Sequence, residues 1–194
     1  MKWKLFAMCL LITGVLAACG EENKKVEDSA VTVVGETTNE INEPVVTQGQ
    51  TDNIKELVES YSANKQTDEK ASITSRQLIV TDIKNNETVY DLPEDEFFVS
   101  IAPYINETHP CKDHSLTGCQ GELVGQEIDV FIENEKGEII VDEKLTTLEN
   151  GFIDLWLPRN EAFIIQMEYD GKKVEGDLAT FDEDGTCVTT LRLL

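Results

Sequence analysis

Seven side chains in this sequence, five cysteines and two histidines, are of types that bind soft metals or exchange electrons, and four of them are close neighbours. Both histidines, His109 and His114, and two cysteines, Cys111 and Cys119, fall in the stretch "THPCKDHSLTGCQGEL", residues 108–123. Cys187 follows 68 residues after Cys119. His109 and Cys111 are two apart, so an extended chain turns both to one side. Cys111 and His114 are three apart, so a single helical turn would do the same. Pro110 restricts the backbone between the first pair, and Gly118 permits a sharp turn before Cys119.

Thiolate is the softest ligand a protein offers, and it selects Cu(I) or Zn(II) over hard cations. A tetrahedral zinc site would use four of the five groups, whereas Cu(I) accepts two or three thiolates. The same spacing also admits a Cys111–Cys119 or Cys119–Cys187 disulfide with both histidines at the surface. Spacing alone leaves these three readings open.

The other two cysteines belong elsewhere. Residues 1–18 begin with Lys2 and Lys4, continue in an apolar run and end in small residues, the pattern of a secretory signal. The ending "LAAC" resembles a bacterial lipobox, which implies cleavage before Cys19 and lipidation of its thiol. Cys9 would leave with the signal. Three thiols then remain in a compartment that favours oxidation, an odd number that at most one internal disulfide can use. The expected location is extracytoplasmic, with a lipid anchor holding the protein to the outer face of the cell membrane.

The formal charge is −22, and loss of Lys2 and Lys4 takes the remainder to −24. Phosphates would repel such a chain, so nucleic acid is excluded as a partner. Residues 19–50 carry no aromatic side chain and are rich in Glu, Asn, Thr and Val, which reads as a tether.

The elements that must position the cysteines follow. Residues 51–95 read as a small α/β unit. Ile54, Leu57, Val58 and Tyr61 share one helical face, with Asp52 as N-cap and an end near Asn64. "SITSRQLIVTD" reads as one strand and "TVYDL" as its return. The unit is too small for a confident core of its own and should pack on the next domain or dimerise. Residues 96–194 read as short strands broken by Asn150-Gly151 and Asp170-Gly171 turns, a β-sandwich of the Ig-like or prealbumin-like kind. The class is α+β, mainly β. No phosphate loop, G-x-S-x-G, H-E-x-x-H or CxxC pattern occurs.

The stretch "DLPEDEFFVSIAPYINETHPCKDHSLTGCQGEL" closely resembles the CueP family of bacterial extracytoplasmic copper-binding proteins. The likeness extends back to "ASITSRQLIVTD" and forward to "GTCVTTLRL", covering roughly residues 50–194. Lys112-Asp113 stands where the family tends to carry bulkier apolar residues. The resemblance implies copper as the metal, with zinc as a substitute, and Cys111, Cys119 and Cys187 as its ligands and redox-active groups. His109 and His114 are implied as the neighbouring metal ligands. It also implies copper resistance or delivery, with thiol-dependent reduction of Cu(II) to Cu(I) as the activity these residues allow. Implied partners are copper ions, a membrane-linked disulfide reductase, a copper-accepting protein and a second copy in a homodimer. The competing functions are a thiol-disulfide redox protein acting on protein disulfides, and a disulfide-stapled structural surface module.

Overall fold

The computed structural model describes residues 44–63 and 68–194. The signal segment, Cys19 and the tether up to residue 43 lie outside the described residues. The elements in chain order are β1 (Val46–Gln48), α1 (Ile54–Ser62), β2 (Lys70–Ile73), β3 (Gln77–Thr81), β4 (Glu87–Asp91) and β5 (Glu96–Ile101). They continue with β6 (His114–Ser115), β7 (Glu127–Asn134), β8 (Ile139–Thr146), β9 (Ile153–Pro158), β10 (Ala162–Tyr169), β11 (Lys172–Ala179) and β12 (Cys187–Val188). Among the described residues no helix is long and apolar enough to cross a membrane.

Three sheets form, in the orders β1-β4-β3-β2-β6, β11-β10-β7-β8 and β12-β5-β9. The burial pattern of β5 explains how they layer. Every residue from Phe97 to Ile101 is buried, so this strand is covered on both faces. Phe97, Val99 and Ile101 point one way and pack with Ile128, Val130 and Ile165 of the four-stranded sheet. That contact is the β-sandwich, and the alternation of buried and exposed positions along β7 is its signature. Phe98 points the other way and packs with Val58 of α1, Ile73 and Leu78. The mainly-β class is as the turn spacing foresaw.

Several local expectations change. The N-cap of α1 is Asn53, whose Oδ1 accepts from Glu56 N at 3.2 Å, and the helix stops at Ser62. The stretch "SITSRQLIVTD" is two strands, β2 and β3, paired as a hairpin. Thr74 makes the turn by accepting from Gln77 N at 3.0 Å and Arg76 N at 3.3 Å through its hydroxyl. A hydroxyl does here what glycine or asparagine more often signals. Val46–Gln48, read with the tether, forms a parallel edge strand on β4. The N-terminal strands reach the following segment through β6, which pairs antiparallel with β2 in the registers Ser72↔Ser115 and Ile73↔His114.

Candidate metal centre

The three-stranded sheet carries a row of polar side chains on its inner face. Cys187 of β12 lies opposite Ser100 of β5, and Ser100 lies opposite Asp154 of β9. Partners in register share a face, so these three side chains emerge together with Phe98 and Trp156, the next pair along. The 111–119 loop closes over this row. Cys187 N donates to Lys112 O at 3.0 Å, tying β12 to the loop. Thr186 Oγ1 donates to Ile73 O at 2.6 Å and accepts from His114 N at 2.9 Å. Cys119 N donates to Ser115 O at 2.9 Å, which folds the chain back on itself. At Gly118 an added Cβ would stand 2.7 Å from Ser115 Oγ, so the glycine serves close approach.

The result is a triad of free thiols. The sulfurs of Cys111, Cys119 and Cys187 all lie within 4.8 Å of one another, and Cys111 and Cys119 Sγ are 3.6 Å apart. Three thiolates around one ion at a bond length of about 2.3 Å would have sulfurs about 4 Å apart in a trigonal site. The donor set therefore fits a soft ion without backbone rearrangement. Among the described residues this is the one such grouping of ligand side chains. Cys187 is buried against Ala102 and Phe152, with Cys111 and Cys119 half-buried at the edge of that cluster. A cleft of about 250 Å³ lined by Cys111, Lys112, Asp177, Asp184 and Cys187 opens beside the sulfurs.

The three thiols share their protons unequally. Hydrogen bonding from Cys187 pulls the Cys119 thiol well down, to about 3; burial opposes this, and His114 and the Ser115 backbone add to it. Cys187 is pushed far up by the same bond to Cys119 and by burial. Burial also raises Cys111. These directions belong to the triad as a unit, and they mark Cys119 as the sulfur that ionises first.

His114 is fully buried. Its Nε2 lies 3.2 Å from Ser100 Oγ, and Ser100 Oγ donates to Asp154 Oδ1. Nδ1 makes no hydrogen bond. The ring also helps to hold the Cys119 thiol down. His109 is half-buried, and its ring lies 6.5 Å from that of Phe152, which packs 4.5 Å from His114 on centroids. Phe152 thus borders both imidazoles. The sulfur grouping contains neither histidine.

The family model described as "Periplasmic copper-binding protein CueP" matches residues 53–192. The chain belongs to the CueP family. A solved structure, the "Crystal Structure of S.CueP", is 36% identical, with a TM-score of 0.70 over 74% of this chain and 89% of that one. No curated protein matches the chain. The CueP match spans Cys111, Cys119, Cys187 and both histidines. Spacing did not reveal Ser100, Asp154, Phe152 or Thr186. A signal for two of them was present: Ser100 interrupts the apolar run "FFVSIA" and Asp154 interrupts "FIDLWL". A lone polar residue on the buried face of a strand needs a partner, and here each supplies the other's.

Proposed function

We propose that this CueP-family protein captures copper at Cys111, Cys119 and Cys187 outside the cytoplasm, reduces Cu(II) to Cu(I) and holds the product. The convergence of three sulfurs from two distant segments within 4.8 Å carries this reading. Soft sulfur donors favour Cu(I), and the imidazoles of His114 and His109 nearby suit Cu(II) on arrival. The cleft edged by Asp177 and Asp184 gives the ion a route with matching charge. Two thiols that couple into a disulfide release two electrons and two protons, which reduce two Cu(II) to two Cu(I). Cys111 and Cys119, 3.6 Å apart, are the nearest pair for that step. Cys187 then remains to attack the disulfide and pass it on. Repeated turnover needs an external dithiol reductant, the role of a membrane-linked disulfide reductase, and release needs a copper-accepting protein. Zinc is the substitute the same donors would take. The "LAAC" sequence supports lipidation at Cys19 as the membrane anchor.

Anaerobic titration of the reduced protein with Cu(II) tests the reading, with a Cu(I)-specific chromophore and a count of remaining thiols. Two thiols lost for two Cu(I) formed is the expected result. Cu(I) binding without Cu(II) reduction would leave a copper carrier. No copper uptake, with reduction of a model protein disulfide, would replace the reading with a thiol-disulfide exchange protein.

A further inference from the structure

The hydrogen-bond chain behind His114 assigns the imidazole's proton. Asp154 is a carboxylate and only accepts. Ser100 has one hydroxyl hydrogen, and it goes to Asp154 Oδ1. Ser100 Oγ can then meet His114 Nε2, at 3.2 Å, only as an acceptor. In the neutral ring Nε2 must therefore carry the hydrogen, and Nδ1 must be bare. Nδ1 is buried, and it has no hydrogen-bond partner among the described residues. A bare buried ring nitrogen is costly unless something at the site uses its lone pair. Phe152, which packs 4.5 Å from the ring, also packs with Cys187, Cys111 and Cys119, so the ring borders the sulfur site.

We propose that Ser100 and Asp154 are positioning residues of the three-cysteine centre: together they lock His114 in its Nε2–H tautomer and present the Nδ1 lone pair to the sulfur site. The inference rests on the copper reading only for what the lone pair serves; the tautomer itself is a property of the metal-free protein. A ligand histidine oriented through its second nitrogen is a recurrent device, and loss of such a partner typically costs 10- to 100-fold in metal affinity. The placement follows from the sheet. Ser100 and Asp154 are register partners, and Cys187 continues the same row, so one strand register sets both a sulfur and the lock. Phe152 packs against the ring at 4.5 Å and limits its rotation. The lock also marks His114 as the histidine that can complete a fourth position, ahead of the half-buried His109.

The first measurement is the ¹⁵N shift pair of the His114 ring in the reduced, metal-free full chain. An Nε2–H tautomer is expected, and a predominant Nδ1–H tautomer would overturn the lock whether or not copper binds. The second uses Asp154→Ala, which frees the Ser100 hydroxyl hydrogen to point at Nε2. The tautomer should move toward Nδ1–H, and Cu(I) affinity in chelator competition should fall 10- to 100-fold. Asp154→Asn keeps an amide oxygen that can accept from Ser100 and should restore both readouts most of the way. Asp154→Ala with wild-type ring shifts and affinity within twofold of wild type would remove the positioning role. A wild-type chain that shows the Nε2–H tautomer but no Cu(I) uptake would sink the copper reading and leave the lock standing.

Discussion

Cys119 is the residue on which the centre turns. It accepts hydrogen bonding from Cys187, lies 3.6 Å from Cys111 and feels His114, so its sulfur carries the first negative charge of the triad. A thiolate is both the metal ligand and the nucleophile. Cys119→Ser replaces it with a hydroxyl that does not ionise in this range and does not bind soft ions well. We predict that the variant keeps its fold, since the two side chains differ little in size, but binds Cu(I) at least 100-fold more weakly. Chelator competition on the reduced variant checks this, and wild-type retention of Cu(I) would contradict a shared three-sulfur site. At this scale the sequence was most informative about what is rare in it. Cys111, Cys119, Cys187 and the two histidines stood out by type once Cys9 and Cys19 were read as part of the signal and lipobox. Ser100 and Asp154 did not, because serine and aspartate are common and their meaning comes from facing each other across β5 and β9.

At the scale of elements, the approach to the 109–119 loop is held by a carboxylate. Glu122 accepts from the backbone N–H groups of Ile105, Asn106 and Glu107 and from the Asn106 side-chain amide, at 2.7–3.3 Å. Burial pushes its carboxyl up, but these donors outweigh that effect and hold it down at about 2. A depressed carboxyl stabilises the fold above its unfolded pKa of about 4.3, and that contribution is lost as pH falls through the folded value. We predict that Glu122→Gln lowers stability by about 1 kcal/mol at neutral pH, a figure already discounted for solvent screening. The gap from wild type in thermal melts should narrow between pH 4 and pH 2. A gap that stays constant down to pH 2 would show that the side chain acts by shape alone. No spacing rule announces such a clamp, because it joins residues through backbone N–H groups. Strand periodicity, by contrast, was plain: the alternation in "EIDVFIE" appears directly as the burial pattern of β7. The β2–β3 turn was missed because Thr74, a strand-favouring residue, closes it.

For the whole molecule, the division at residue 95 suggested by the change from a helix-and-strand pattern to short strands sits beside a layered arrangement in which the middle sheet is shared. Phe98 and Leu116 are fully buried in a cluster whose other walls are Val58, Ile73 and Leu78, all from before residue 95. Ile73 also accepts from Thr186 Oγ1, which in turn receives His114 N, so a residue of β2 helps frame the metal centre. Arg159 extends the coupling: its guanidinium donates to Ser75 O at 2.7 Å and pairs with Asp182, in the segment leading to Cys187. A fragment of residues 96–194 would expose Phe98, Leu116 and the His114 ring together. Uncovering two large apolar side chains forfeits about 1.5–3 kcal/mol each, a large share of the 5–15 kcal/mol that stabilises an ordinary domain. We predict that the fragment shows poorly dispersed amide resonances and lacks tight Cu(I) binding. Adding the 44–95 segment in trans should recover part of both, because the β2–β6 pairing and the Thr186 bridge can re-form without a covalent link. A fragment that folds alone with wild-type copper affinity would mean that the N-terminal strands cover the centre without building it.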